Sequence, residues 1–329
     1  MRTLTGCEAL REALREEMRR DKTVFCLGED IGVYGGAFGV TRGLLDAFGP
    51  ERVLDTPISE AGFTGVAIGA ALAGSRPVVE IMFMDFILLA FDQLANMAAK
   101  SRYVFGPHAA CPLVIRTPGG GGRGYGPTHS QSLEALFAHI PGLKIVAPST
   151  PADAKTLLKA AIRDDNPVLF VEHKLLYSLR GEVPARASSR VERLGKARVV
   201  RKGRDVTIVA WSWMTELARR AARDLAEAGV DAEVVDLRTL SPLDSETVMT
   251  SVARTGRLLI VEEGCRTGGF AAEIGFQAFE SVFDRLDAPI RRVTCPDVPI
   301  SASPVLEQAA LPSQTAIAAA AAALMTDEI

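Results

Sequence analysis

The chain has 329 residues, of which 48% are hydrophobic and 23% are charged, and its formal net charge is -3 at pH 7. That length allows two domains with sizeable cores, and the small net charge gives no reason to expect nucleic acid or an anionic membrane as a partner. Because there is no apolar run of membrane-spanning length, no signal-like N-terminus and no C-x-x-C pair among five scattered cysteines, the sequence predicts a soluble, cytoplasmic α/β protein.

The N-terminal segment predicts a helix followed by a buried strand. Thr5 and Glu8 have the spacing of a capping box, and the residues up to Arg20 alternate apolar and charged side chains at helical spacing. The apolar run 24–27 then leads into Gly28-Glu29-Asp30. Acids directly beyond a strand lie where open α/β sheets bind ligands, although a solvated turn gives the same pattern.

The stretch from Asp55 to Gly74 predicts a short extended piece and then a helix of small residues. Gly65, Gly69 and Ala73 recur every four residues and form a ridge nearly without side chains. Such a ridge indicates a close contact with another subunit or with a buried ligand. Glu60 stands at the helix start, where the helix dipole alone favours a carboxylate and a functional role is the alternative.

The next segment predicts a strand at 77–84 and a long amphipathic helix from Asp85 to Ser101. Phe83 and Phe86 lie at the junction between the two. An aromatic residue there either belongs to the core or offers a face on which a ring-shaped ligand stacks.

A glycine-rich loop, PGGGGRGYGPTHSQ, follows the strand predicted at 112–117. Residues 119–124 satisfy G-x-G-x-x-G, but a dinucleotide fingerprint needs its third glycine inside the following helix. Here the helix can begin only near Thr128 or Ser130, which disfavours a dinucleotide site. The pattern instead predicts a mobile loop that presents His129 at a helix start as a general acid or base, with a structurally hydrogen-bonded histidine as the alternative.

The rest of the chain continues the alternation of strands and helices. Strands are predicted at 144–149 and 168–172 and a helix at 151–163; the turn Asp164-Asp165-Asn166-Pro167 ends that helix. Unpaired carbonyls at such a helix end can hold a monovalent cation, although most turns of this kind hold none.

From about Tyr177 to Lys202 the pattern loses its period, as a linker does. A second module then alternates strands with helices, which is typical of a parallel sheet. Its strands are predicted at 206–210, 233–237, 258–262 and 290–294, and its helices near 214–228, 244–254 and 268–284.

Motifs along essentially the whole chain carry a resemblance to a known family. They are, in chain order, GED after the first strand, VLDTPISEAGFTGVAIGAALAG, RPVVEIMFMDF, the loop ending in THSQ, HIPGLKIVAPS, AIRDDNPVLFVEHKLLY and VVDLRTLSPLD. In these motifs and their order the chain resembles the beta subunit of the decarboxylating, thiamine-diphosphate-dependent component of 2-oxoacid dehydrogenase complexes, such as the pyruvate, branched-chain and acetoin dehydrogenases. A run of motifs in one order is far more specific than any single motif.

The resemblance implies the organisation of the chain and its partners. Residues 1–180 would form an α/β domain similar to the pyrimidine-binding domain of transketolase-like enzymes, a parallel sheet with helices on both faces. Residues 181–202 would be a linker, and residues 203–329 an α/β domain similar to the transketolase C-terminal domain. Thiamine diphosphate would lie between the first domain and a separate alpha subunit in an α2β2 assembly, with a lipoyl acyltransferase as a further partner.

The resemblance also implies which residues contact the cofactor. Glu60 matches the family glutamate that hydrogen-bonds the aminopyrimidine and favours its imino tautomer, which in turn gives the thiazolium ylid that attacks the 2-oxo group. Burial would raise the pKa of such a carboxyl and allow it to exchange a proton with the ring. Phe86 matches the aromatic residue that stacks on the aminopyrimidine, whereas Phe83 would belong to the core. The other positions that match the surroundings of this ring are Glu29, Ile58 and Met82.

His129 matches the family's active-site histidine, which is implicated in reductive transfer of the acyl group to a lipoyl arm. A potassium site, formed mostly by carbonyls, matches Leu113, Ala161, Ile162, Asp164 and Asn166. The chain has no G-D-G segment with a following asparagine, so the alpha subunit would hold the magnesium and this chain alone would bind the cofactor poorly. The loop before His129 is richer in glycine than most family loops, which predicts greater mobility and leaves the substrate open.

Three other functions remain open from the sequence. A split transketolase-like subunit would act on sugar phosphates, a dinucleotide-binding protein would use the glycine loop, and a scaffold subunit would have no catalytic residue. A neighbouring gene for a lipoyl acyltransferase would favour the dehydrogenase.

Overall fold

The computed structural model describes residues 2–184 and 191–327, and its internal contacts divide the chain into two compact units. The first unit comprises Met1–Gly119 and Leu136–Leu194, and the second comprises Gly120–Ala135 and Gly195–Ile329. The glycine loop therefore belongs with the C-terminal part of the chain, which the sequence did not predict.

The first unit alternates strands with helices. Its strands are β1 (Arg2–Thr5), β2 (Val24–Gly28), β3 (Val53–Asp55), β4 (Arg76–Glu80), β5 (Val114–Gly119), β6 (Lys144–Val146), β7 (Val168–His173) and β8 (Arg180–Val183). Its helices are α1 (Gly6–Arg20), α2 (Leu44–Phe48), α3 (Glu60–Leu72), α4 (Ser101–Phe105) and α6 (Pro151–Arg163), and α5 (Glu134–Ala138) begins in the stretch that belongs to the second unit. Six strands lie side by side in the order β6-β7-β5-β4-β2-β3 with all pairs parallel, while β1 pairs antiparallel with β8.

The second unit repeats this architecture. Its strands are β9 (Arg198–Arg201), β10 (Val206–Ala210), β11 (Ala232–Asp236), β12 (Thr239–Ser241), β13 (Leu258–Cys265) and β14 (Arg291–Cys295). Its helices are α7 (Ser212–Glu227), α8 (Ser245–Thr255), α9 (Phe270–Val282), α10 (Pro304–Ala310) and α11 (Gln314–Ala323), with a 3-10 turn at Phe283–Arg285. Five strands form a sheet in the order β14-β13-β10-β11-β9, which is parallel except for β9.

Local sequence signals explain most of these elements. The Thr5 hydroxyl accepts the Glu8 N–H and the Glu8 carboxylate accepts the Thr5 N–H, so the predicted capping box is confirmed at the start of α1. Leu10, Leu14 and Met18 of that helix are buried in a core with residues of α6 and of the central strands. Those strands read as continuous apolar runs because a parallel sheet is covered on both faces.

The long helix predicted for Asp85 to Ser101 is wrong. The chain forms a 3-10 helix at Met84–Ala90, a π-helical turn at Gln93–Ala98 and then α4. Met84, Ile87 and Ala90 are all fully buried at intervals of three residues, which is the period of a 3-10 helix and differs from the 3.6 of an α-helix. Burial of every third side chain therefore favours a 3-10 helix over the predicted α-helix in this segment.

The stretch predicted as a linker at 181–202 contains most of β8 and all of β9. Residues 185–190 of it lie outside the described residues, and the domain limits remain a prediction. In the described ranges 2–184 and 191–327, no helix is both long and apolar enough to cross a bilayer.

Candidate active site

Four residues that the resemblance assigns to the cofactor lie at the carboxyl ends of neighbouring strands. Glu29 follows β2 directly, Glu60 opens α3 after β3, and Met82 and Phe86 follow β4. Because β4, β2 and β3 are adjacent and parallel, these residues share one edge of the sheet, which is where α/β sheets bind ligands. Ile58, in the connection between β3 and α3, is 84% exposed.

Glu60 and Glu29 form the polar part of this edge. Both side chains are buried, and Glu29 Oε1 accepts no hydrogen bond from any described residue. Burial raises the pKa of Glu29, and the charges of Glu60 and Asp30 raise it further. A buried carboxylate oxygen without a donor costs free energy, so this geometry fits a ligand that brings N–H groups, as an aminopyrimidine does.

The backbone that carries Glu29 is fixed in an unusual conformation. Asp30 has a φ of 54°, in the left-handed region that non-glycine residues rarely adopt, and its carbonyl accepts the Gly36 N–H at 2.8 Å. The Asp55 carboxylate at the end of β3 accepts the Gly32 N–H at 2.7 Å. The loop after β2 is thereby tied to the neighbouring strand, which holds Glu29 at the edge of the sheet.

An aromatic row leads away from Phe86 into the unit. Phe86 is half-buried and meets Phe83 edge-to-face with ring centres 5.8 Å apart; Phe83 meets Phe38 at 5.6 Å in the same manner. Phe38 stacks on Tyr177 at 5.1 Å, and the Lys174 ammonium lies 5.4 Å from the Phe83 ring centre. These contacts restrict the ring of Phe86, the residue predicted to face the cofactor.

A buried network of ion pairs adjoins this aromatic row at Tyr177. The Arg116 guanidinium donates Nε and Nη2 to the two carboxylate oxygens of Glu172, at 2.7 and 2.8 Å, and Nη1 to Glu80 at 2.5 Å. Tyr177 donates its hydroxyl to Glu172 at 2.6 Å. Burial raises the pKa of Glu172, although Arg116 counteracts the effect, and Arg116 itself stays charged because two carboxylates surround it. Arg116 was not predicted; its position within an otherwise apolar strand was the available signal.

The small-residue ridge of α3 faces away from the unit. Gly65 and Gly69 are exposed, and a Cβ added at either would meet no atom within 4 Å. The helix ends at Leu72, so Ala73 is its cap and not its last turn. The predicted subunit contact stays a prediction, supported by Val66, which is 66% exposed beside the two glycines.

The prediction that His129 stands at a helix start is wrong. Helix α5 begins only at Glu134, and His129 lies in a turn closed by its own N–H to the Gly126 carbonyl at 3.3 Å. The Gln131 carbonyl accepts the Gly120 N–H at 3.1 Å, which keeps the chain after His129 non-helical against the start of the loop. The Thr128 hydroxyl lies 3.0 Å from His129 Nδ1, and the ring is half-buried.

Acidic side chains that the sequence reasoning missed surround this loop. Glu307 accepts the N–H groups of Gly122 and Gly124, at 2.8 and 2.9 Å, and Glu263 accepts that of Gly121. These bonds occupy amides on which a pyrophosphate would have to bind, and they disfavour a dinucleotide there. The signal available in the sequence was the pair of acids at the end of the apolar run LLIVEEGC, the same pattern as in GED.

Two further carboxyls of this unit have pKa values near neutral pH. Burial raises the pKa of Glu134 to about 7, to which repulsion from Glu263 and Glu262 contributes. Burial also raises the pKa of Glu262 to about 7, although its carboxylate accepts the N–H groups of Phe270 and Ala271 at the start of α9.

The residues assigned to potassium are near one another but already hydrogen-bonded. The Ile162 and Asp164 carbonyls both accept from the Arg76 guanidinium at 3.1 Å, and the Leu113 and Ala161 carbonyls accept backbone N–H groups. Each carbonyl keeps a second lone pair, yet the guanidinium would repel a cation, so the fit is partial. Within the described ranges, no group of three or more His, Cys, Asp or Glu side chains is arranged to hold a metal ion.

Comparison with known proteins matches both halves of the chain. Residues 2–180 match the family described as the transketolase pyrimidine binding domain, and residues 195–317 match the transketolase C-terminal domain. The pyruvate dehydrogenase E1 component subunit beta of Porphyra purpurea is 52% identical over 302 residues, covering 92% of this chain and 91% of its own length. That of Rickettsia felis is 48% identical over 314 residues, covering 95% of both.

Two further comparisons separate fold from activity. The acetoin:2,6-dichlorophenolindophenol oxidoreductase subunit beta of Cupriavidus necator is 49% identical over 323 residues and covers 95% of both chains. A solved structure described as a split gene transketolase, inactive beta4 tetramer, superposes with a TM-score of 0.81 over 99% of this chain and 100% of its own, at 24% identity. That likeness confirms the predicted transketolase-like fold, and the sequence relatives do not favour the transketolase alternative.

Proposed function

This chain belongs to the transketolase-type family that includes the beta subunits of pyruvate and acetoin dehydrogenases, and we propose that it supplies one half of a thiamine diphosphate site for oxidative decarboxylation. The substrate is a small 2-oxoacid or acetoin, and the acyl group passes to a lipoyl group carried by an acyltransferase. A separate alpha subunit supplies the diphosphate-binding half with its magnesium, in an α2β2 assembly.

The pair of buried carboxylates, Glu60 and Glu29, is the observation that carries this proposal. They lie at the ligand-binding edge of the first sheet, and Glu29 Oε1 accepts no hydrogen bond from any described residue. A cofactor that presents an amino group and a ring nitrogen together gives each carboxyl a partner. Their burial keeps water away, so a proton held between Glu60 and such a ring nitrogen is not lost to solvent.

Thiamine diphosphate, when bound, supplies an electron sink for the electron pair that remains when carbon dioxide leaves a 2-oxoacid. In this proposal Glu60 would hold and release a proton at its carboxyl, Glu29 would accept an amino N–H, and Phe86 would offer its ring face, with Met82 and Ile58 beside it. His129 acts in the later transfer of the acyl group. If potassium binds, its ligands would be oxygens, mostly carbonyls, of Leu113, Ala161, Ile162, Asp164 and Asn166.

Exposed apolar surface supports a partner at this edge. Ile58 is 84% exposed and Val66 is 66% exposed, and a Cβ added to Gly65 or Gly69 would meet no atom within 4 Å. Large apolar side chains grouped beside a ligand edge are typical of an interface. We propose that the alpha subunit covers them.

The decisive variant is Glu60→Gln, which keeps the size of the side chain and removes its ability to transfer a proton. With the alpha subunit co-expressed, decarboxylation of pyruvate and of branched-chain 2-oxoacids, and oxidation of acetoin, are measured with an artificial electron acceptor. Loss of a general acid–base group is expected to lower the rate roughly 10²–10⁴-fold. Glu51→Gln, at an exposed turn of the same unit, is the matched control and should keep full activity.

Titration calorimetry with thiamine diphosphate and size-exclusion chromatography show whether Glu60→Gln still assembles and binds. Full activity of Glu60→Gln in an assembled enzyme would exclude a catalytic role for Glu60. Turnover of a ketose phosphate, with none of any 2-oxoacid or acetoin, would instead establish the transketolase alternative.

A further inference from the structure

The glycine loop has a backbone that alternates into the left-handed region. Gly120, Gly122, Gly124 and Gly126 have φ values of 83°, 85°, 68° and 81°. Alternation of this kind turns successive N–H groups toward one side, which makes a concave donor surface for an anion. Only glycine adopts these angles without strain, so the glycine-rich sequence is explained by the conformation of the loop.

The anion held by this surface is a side chain of the same unit. Glu307, in α10, is 3% exposed and uses both carboxylate oxygens, one for the Gly122 N–H and one for the Gly124 N–H. The bonds are 2.8 and 2.9 Å long, as expected for charge-assisted hydrogen bonds. The fixed oxygens thus determine the path of the backbone on both sides of Arg123.

Residues near Glu307 in the chain also pack against the loop. A Cβ on Gly121 would lie 3.0 Å from Leu311 Cδ1 and 3.3 Å from Glu307 Oε1, and a Cβ on Gly126 would lie 3.4 Å from that of Ala302. Gly120 is bonded to Gln131, which lies beyond His129 in the chain. Glycine loses the most conformational freedom on ordering, so a loop of this composition keeps one conformation only if such contacts offset that loss.

We propose that Glu307 is a positioning residue of the proposed reaction: its carboxylate holds the amides of Gly122 and Gly124 and so sets the loop from which His129 acts. The inference rests on the proposed function for the role of His129, whereas the hydrogen bonds from the loop to Glu307 do not depend on that function. Loss of the carboxylate is therefore expected to impair transfer of the acyl group to the lipoyl acceptor more than decarboxylation.

The test compares Glu307→Gln with Glu280→Gln, which removes one exposed carboxylate from α9 of the same unit. Glutamine has one side-chain oxygen where glutamate has two, so at least one of the hydrogen bonds from Gly122 and Gly124 is lost in Glu307→Gln. Hydrogen exchange at Gly122 and Gly124 in the full chain is expected to become on the order of tenfold faster, with tryptic cleavage after Arg123 faster to a similar degree. Glu307→Asp keeps the charge with a shorter reach and should recover part of the protection.

The assembled alpha–beta enzyme gives the functional readout. Lipoyl-dependent turnover in Glu307→Gln is expected to fall about tenfold or more, while decarboxylation with an artificial electron acceptor changes less than about threefold. Unchanged hydrogen exchange at both amides would overturn the claim that Glu307 fixes the conformation of the loop. Equal losses in the two assays would overturn a specific role in acyl transfer. A wild-type enzyme that decarboxylates no 2-oxoacid would overturn the proposed function, and the exchange measurement would still decide the role of Glu307.

Discussion

Arg116 contacts two buried carboxylates, and Arg116→Met removes its positive charge while keeping an unbranched side chain in the core. Glu172 loses a bidentate partner and Glu80 loses its bond to Nη1. All three residues are less than a tenth exposed, so water cannot replace the guanidinium without opening the structure. The variant therefore isolates the free energy of leaving buried carboxylates unpaired.

The expected loss is about 3–5 kcal/mol of unfolding free energy, the range found when one partner of a buried ion pair is removed. For a unit of this size that corresponds to a melting temperature lower by roughly 6–20 °C. Arg116 also lowers the pKa of Glu172 against the effect of burial, so in the variant that pKa is higher still. In the variant, the contribution of Glu172 to stability is fully present only below the pKa of Glu172 in the unfolded chain and is lost as the pH rises through its folded-state pKa. The stability of the variant should therefore approach that of the wild type as the pH falls.

Urea unfolding followed by circular dichroism measures the difference in acidic and in alkaline buffer. Arg19→Met, an exposed arginine of α1, is the matched control and is expected to change stability by no more than about 0.5 kcal/mol. The triple variant Arg116→Met, Glu80→Gln, Glu172→Gln should regain at least half of the loss because it carries no unpaired charge. If the triple variant is as unstable as Arg116→Met, the loss comes from packing, and the electrostatic reasoning is refuted.

Two smaller predictions concern single groups. The folded-state pKa of Glu134 is raised to about 7, so the contribution of this carboxyl to stability is present at acidic pH and lost as the pH rises through 7. Glu134→Gln should therefore reduce the pH dependence of the unfolding free energy, measured in urea, by on the order of 2–3 kcal/mol. An unchanged pH dependence would contradict this origin. Gly142→Ala places a Cβ 2.1 Å from the Ala99 carbonyl oxygen at a φ of 92° and should lower the unfolding free energy by about 2–4 kcal/mol. The control Gly49→Ala, with a φ of 80° and no atom within 4 Å of the added Cβ, should lower it by only about 1 kcal/mol. Equal losses in chemical unfolding would show that the structure relieves the close contact at Gly142.

The elements that were predicted correctly are those whose signals are local. Helix α6 has the predicted bounds because Thr150 caps its first turn and the Asp164 turn ends it. Strands such as β10 and β7 follow apolar runs bounded by turn residues, and parallel sheets bury such runs on both faces. The candidate site residues that follow β2, β3 and β4 were assigned from the family resemblance; the structure puts them at one edge because these parallel strands are adjacent, and their contacts with a cofactor stay a prediction.

The elements that were predicted wrongly depend on partners far away in the sequence. Gly121 is held by Glu263, 142 residues away, and Gly122 by Glu307, 185 residues away. No window of the loop contains that information, so His129 was predicted at a helix start although α5 begins only at Glu134. The predicted mobility of the loop stays a prediction. The segment 85–101 has helical composition, and only its burial at intervals of three residues shows why it forms a 3-10 helix first.

The two acid pairs that follow strands differ in the donors that their carboxylates find within their own unit. GED after β2 and EEG at the end of β13 are equivalent in sequence, and each lies at the carboxyl end of a buried parallel strand. In the second, Glu262 and Glu263 accept backbone N–H groups of their own unit. In the first, Glu29 keeps a buried oxygen that no described residue satisfies. Because native proteins rarely leave such an atom without a donor, the unsatisfied oxygen of Glu29 supports the proposed ligand at this edge. In the second pair, Glu263 supports the glycine loop through Gly121, whereas Glu262 supports the start of α9.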